Sequence, residues 1–132
     1  MKGSLITTIL LLLSIVGFSQ KYQGAEANKL ISGTDLIRIG SKSDLPEFVQ
    51  FRTDNRLPAS KFSIWAQKAF QLEEGTNLVQ VSESTDKIGQ QHIKYQLQIN
   101  GTLVFGAFYT AHVKNDLVVS ANGKIVSKIA AK

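Results

Sequence analysis

Residues 91–99 read Gln-His-Ile-Lys-Tyr-Gln-Leu-Gln-Ile, with Ile93, Tyr95, Leu97 and Ile99 at every second position and polar side chains between them. A period of two puts all four on one side of a strand, so this segment is a half-buried strand of an antiparallel sheet. Asn100-Gly101 follows. Both central positions of a type I′ turn need positive φ, which these residue types tolerate best, so the chain turns back here. Thr102–Val113 is then the return strand. An unbroken register pairs Leu97 with Val104, Tyr95 with Gly106 and Ile93 with Phe108, and lays the Tyr95 ring over Gly106. The return strand is apolar on both sides, with Val104 and Phe108 on one and Leu103, Phe105, Ala107 and Tyr109 on the other. It is expected to be interior, with something covering it near Phe105.

The meander continues through a weaker turn at Asn115-Asp116 into Leu117–Ala121, then turns again at Asn122-Gly123 into 124–127. Upstream, Asn77–Ser82, Asp35–Ile39 and Pro46–Arg52 read as strands. Between them lies the one strong helical period, over Pro58–Glu74. Phe62, Trp65, Ala66, Ala69 and Phe70 fall on a single face, with Ser60 as N-cap and Gly75 at the C′ position. Trp65 on this stripe is a core anchor. The expected fold is α+β: one amphipathic helix packed on a curled antiparallel meander, two-layered and cystatin-like in outline.

The first residues are of a different kind. Lys2 supplies a positive charge, Leu5–Val16 is almost entirely apolar, and Gly17-Phe18-Ser19 places small residues at two positions separated by one. This is the pattern of an export signal over residues 1–19, cleaved between Ser19 and Gln20. An apolar run of about a dozen residues is short of the ~20 a spanning helix needs. The chain has no cysteine, which excludes lipid attachment there and a disulfide scaffold anywhere. Residues 20–34 are small and polar and read as a lead-in, 35–127 as the domain, and 128–132 as a tail or the start of a linker. The net charge of +5 over 132 residues falls by one with Lys2. What remains is scattered, without the dense basic stripe and interleaved aromatics of a nucleic-acid surface. No nucleic-acid partner is expected, and no membrane partner after signal removal.

Catalytic chemistry finds little to work with. His92 and His112 are the only histidines, and neither sits in H-E-x-x-H. In the unbroken register His92 faces Tyr109 while His112 points to the other sheet face; a bulge at Gly106 would make them diagonal neighbours on one face. Two ligands fall short of the three a catalytic zinc takes from protein, so both read as surface or rim histidines. There is no G-x-S-x-G, P-loop or dinucleotide glycine pattern. Glu73-Glu74 sit side by side at a helix end, and Glu83 and Asp86 in a turn. No enzyme, cofactor or small-molecule substrate is expected.

The stretch from His92 to Gly123 resembles the fungalysin/thermolysin propeptide family. That pattern runs roughly H-x-R-[YF]-Q-Q-x-[YF]-x-G-[IV]-P-V-x-G-[AS], then a strand ending in H-[VT], then V-x-S-x-N-G. Tyr95, Asn100, Gly101, Val104, Gly106, Asn122 and Gly123 carry it here. Lys94, Leu97, Ile99 and Leu103 replace the usual Arg, Gln, aromatic residue and Pro. Upstream, Leu45–Phe51, Pro58, Phe62 and Trp65 are similar to the start of secreted zinc metalloprotease precursors, so the resemblance extends over about residues 24–127.

The resemblance implies a non-catalytic proregion module. Such a module assists folding of a zinc metalloprotease and inhibits it until cleaved, acting in cis as part of a precursor or in trans as a stand-alone copy. Zinc is implied only in that protease partner. Gln96, Gln98, Phe105 and Tyr109 are the candidate partner face; the competing reading has the helix covering Phe105 and Tyr109 and leaves the glutamines merely wet. The alternative function is a secreted protein-binding module unrelated to proteolysis, since many roles share such folds.

Overall fold

The computed structural model describes residues 19–41, 43 and 45–125. Residues 1–18 of the expected export signal, residues 126 and 127 of the expected last strand, and the expected tail at 128–132 lie outside the described residues. One antiparallel sheet runs in the order β1-β2-β3-β8-β7-β6-β5. Its strands are β1 Gln20–Gln23, β2 Thr34–Ile39, β3 Pro46–Phe51, β5 Thr76–Thr85, β6 Gln91–Ile99, β7 Thr102–Lys114 and β8 Leu117–Lys124, with the two-residue β4 Leu57–Pro58 pairing β8 off that path. Two helices accompany it, α1 Ala25–Leu30 and α2 Phe62–Ala69. This is the expected α+β arrangement, with a larger sheet than the meander alone, because β3 joins β8 and brings β1 and β2 with it.

The lead-in is part of this structure. β1 pairs β2 from Gln20↔Ile39 to Gln23↔Leu36. α1 is tied down by Thr34, whose buried hydroxyl bonds to the Ala27 carbonyl at 2.9 Å and the Ile31 carbonyl at 2.7 Å. Its one buried side chain is Ala27, too little to leave a helical period in the sequence.

α2 is shorter than its pattern. A 3₁₀ turn, Ala59–Lys61, precedes it, and Lys61 occupies the N-cap without a side-chain bond, so Ser60 does not cap the helix. At the other end Gln71, not Gly75, takes the left-handed conformation, with φ 51°. The Leu72 amide reaches the Gln67 carbonyl and the Gln71 amide the Lys68 carbonyl, both at 3.1 Å, the Schellman pair that satisfies orphan carbonyls. Gly75, φ 84°, instead shapes the turn into β5, where its carbonyl accepts from the Asn100 amide at 2.8 Å.

The inner sheet face and α2 form the core. Phe62 is fully buried, with its ring 5.1 Å from Tyr95 and 6.3 Å from Tyr109. Trp65 meets Phe51 edge-on at 4.8 Å and Phe70 at 5.5 Å, the anchoring role expected of it. The Asn122-Gly123 turn is not formed: both residues lie inside β8. Gly123 faces Tyr109, and a Cβ there would sit 2.5 Å from the Tyr109 ring and 2.3 Å from the Phe108 carbonyl. The glycine is required by close approach. Across it the Tyr109 hydroxyl donates to the Pro46 carbonyl at 2.9 Å, buried; burial, and then Glu47, push the phenol's pKa up.

The β5–β6 loop is organised by Asp86. Its Oδ1 accepts from the Ile88 and Gln90 amides, each at 3.0 Å, and its Oδ2 meets His92 Nε2 at 3.0 Å. The His92 contact, followed by the backbone bonds, holds the carboxyl below its ordinary 3.8.

Two expectations follow. Phe62→Ala should lower the unfolding free energy by about 3–5 kcal/mol in urea titration, the range for a buried Phe; a loss under about 1 kcal/mol would mean that α2 does not pack as described. Asp86 has a depressed folded-state pKa, so its stabilising contribution is present above the unfolded value and lost as pH falls through the folded one. The gap in thermal midpoint between the wild type and Asp86→Ala should therefore be level above about pH 5 and close below pH 3.8. A gap that persists undiminished at pH 2 contradicts this.

Candidate functional site

The β6–β7 hairpin turns as its sequence demands, with φ 48° at Asn100 and 85° at Gly101. Its first pairs, Ile99↔Thr102 and Gln98↔Leu103, follow the unbroken register. The next pair is Gln96↔Phe108. β7 thus spends five steps where β6 spends two, and every later pair is displaced. Tyr95 faces Tyr109, not Gly106; Ile93 faces Ala111, not Phe108; His92 faces His112, not Tyr109. Gly106, φ 78°, lies in the bulge with open space around it. Gln96 fastens the bulge, its Nε2 donating to the Val104 carbonyl at 2.9 Å. Val104 packs against the core, while Phe105 projects with 98% of its surface exposed. Nothing among the described residues covers Phe105, contrary to expectation.

The four candidate partner-face residues are not brought together. Tyr109 is fully buried beneath α2. Gln96 is spent on the bulge. Gln98 lies between Asn77 and Leu103 and lines an open hollow of about 490 Å³ with Ser63, Ile64 and Gln67 of α2. Phe105 alone stands free, beside the half-exposed Leu103. The signal that marks it in the sequence is the parity of β7: Ala107, Tyr109, Ala111 and Val113 form one buried series, and Phe105 continues it only if the strand is unbroken.

The register shift also builds a polar row on the outer sheet face. His92 Nδ1 lies 2.8 Å from His112 Nδ1. His92 Nε2 meets Asp86 Oδ2, and His112 Nε2 meets the side-chain oxygen of Asn122. The rings are 5.0 Å apart and steeply inclined. The two histidines are thus directly opposite each other, closer than the diagonal relation a simple bulge suggested. Next to this row Lys94 Nζ sits 4.1 Å above the Phe108 ring, and Arg38 lies 5.3 Å from that of Phe48, both cation–π contacts.

Among the described residues no group of three or more His, Cys, Asp or Glu is placed to hold a metal ion, and no helix is long and apolar enough to cross a membrane. Asp86 cannot complete a set of three with the two histidines, because it is directed at the far nitrogen of His92.

No curated protein and no solved structure matches the chain. Residues 76–125 do match a family model, the Fungalysin/Thermolysin Propeptide Motif, whose bounds run from the first residue of β5 to the buried Ile125 just past β8. The match spans the four-stranded unit β5–β8 with its bulge, and what that unit is similar to is a propeptide motif.

Proposed function

We propose that the chain is a proregion module of a secreted zinc metalloprotease that assists folding of the protease and inhibits it until cleaved, in cis or in trans. The observation that carries this is the match of β5–β8 to a propeptide motif. The exposure of Phe105 supports a contact role. A large aromatic in water forgoes burial worth roughly 1.5–3 kcal/mol, and the half-exposed Leu103 on the same strand adds to the apolar surface that Phe105 offers. The Gln96 bond to the bulge keeps Phe105 presented. β1 begins at Gln20, so export with cleavage after Ser19 leaves every described strand whole. A helix packed on one face of an antiparallel sheet is what supports the reading of a cystatin-like outline.

The test is to add the purified chain to a thermolysin-like zinc metalloprotease and follow peptide hydrolysis, with recovery of activity after denaturation measured in parallel. Stoichiometric amounts should slow hydrolysis or raise the refolding yield. Phe105→Ala should weaken the effect by at least about 2 kcal/mol, roughly thirtyfold in apparent affinity, as an anchoring aromatic does. Its circular dichroism should stay unchanged, because the side chain leaves no cavity. An excess that alters neither hydrolysis nor refolding overturns the proposal.

A further inference from the structure

The cross-strand histidines carry a second inference, independent of the proregion reading. The acceptors at the two ends of the row fix its protonation. Asp86 Oδ2 and the Asn122 oxygen each face an Nε2. A carboxylate and an amide oxygen accept and do not donate, so both imidazoles hold their proton on Nε2. Both Nδ1 lone pairs then point into the same gap, 2.8 Å apart. Two bare nitrogens at that distance repel unless a positive centre lies between them. A positive centre there, whether a proton on one ring or a metal ion shared by both, has a defined place between the two strands.

We propose that His92 and His112 bind one divalent late-transition-metal ion through their Nδ1 atoms, with solvent completing the coordination. Imidazole suits copper, zinc and nickel. At metal–nitrogen distances near 2.0–2.1 Å, tetrahedral geometry separates two ligand nitrogens by about 3.3 Å, so the gap opens by about half an ångström. That movement is within reach of two side chains on the outer face, where the His92 side chain is 29% exposed and an ion enters without unpacking the core. Asp86 and Asn122 play the part of outer partners that orient metal-binding imidazoles through their second nitrogen. β-strand pairing supplies the rest: His92 and His112 are a direct cross-strand pair, flanked in the same row by Ser84 on β5 and Ser120 on β8. With two protein ligands the site is one for binding, and it lies apart from Phe105.

Calorimetric titration of the chain with Cu²⁺ alone and with Zn²⁺ alone, near pH 7.5, tests this. One equivalent should bind, copper more tightly than zinc, and binding should fail as pH drops to about 5, because the imidazoles must be unprotonated. His92→Gln and His112→Gln should each abolish saturable uptake, and Asn122→Ala should weaken it about 10–100-fold. In the unmodified protein, ring nitrogen resonances give a readout that needs no variant: zinc should move both Nδ1 signals and leave both Nε2 atoms protonated. Uptake that survives either histidine replacement overturns the proposal. So does an absence of saturable uptake, which would mean that a proton alone lies between the two Nδ1 atoms.

Discussion

The register of β7 against β6 is the constraint on which the rest of the sheet depends. A slip by an odd number of residues exchanges the two faces of a strand. In the hairpin's own register, from Asn100-Gly101, the even-numbered residues of β7 would join Tyr95 and Ile93 on the core side, and these include Thr110 and His112. Three further residues in the bulge reverse the parity, and Ala107, Tyr109, Ala111 and Val113 turn inward, all buried. Burying the apolar series and keeping two polar groups wet is worth several kcal/mol over the length of the strand. That gain outweighs the ladder bonds lost in the bulge, one carbonyl of which is recovered through Gln96. The same shift ejects Phe105 and sets His112 opposite His92, so the exposed aromatic and the histidine row share one cause.

Once Tyr109 faces inward, it decides how the two parts of the sheet join. Its ring crosses β8 where Gly123 offers no side chain, and its hydroxyl ends on Pro46 at the head of β3. A phenol buried this deeply needs an acceptor, and the Pro46 carbonyl supplies it. The aromatic-over-glycine pairing expected of Tyr95 and Gly106 thus exists between Tyr109 and Gly123, one strand further on. The chemical logic is unchanged; the partners follow from the bulge.

What could be read from residues alone was whatever rests on local pattern. The alternation of β6, the type I′ turn and the apolar face of α2 are each set by neighbours within a few positions. Three misreadings share a different origin. Gly123 looked like a turn residue, but its role is to admit a ring from a strand distant in the sequence. Gly75 looked like a helix C′ residue, but the tertiary position of α2 lets Gln71 take the left-handed conformation instead. β1 and α1 expose nearly everything they have, so no period betrays them, and they are held by bonds from Thr34 and by one edge pairing. The four candidate partner-face residues are dispersed for the same reason that the register shifts: Tyr109 and Phe105 are separated by the bulge, which only the competition between two faces reveals.

The two sheet faces therefore answer to different requirements. The inner face is fixed by packing, and any change of parity there is costly. The outer face is free of that demand, and its side chains are held by local pairs: Lys94 on Phe108, Arg38 on Phe48, and the row from Asp86 to Asn122. A bulge transmits the requirement of one face to the other, because it can satisfy the core only by choosing which residues leave it. Phe105 is outside for that reason, in a bulge of β7 where Val104 packs on the core and Gln96 bonds its carbonyl. A contact residue placed this way loses little freedom on meeting a partner, which lowers the entropic cost of association.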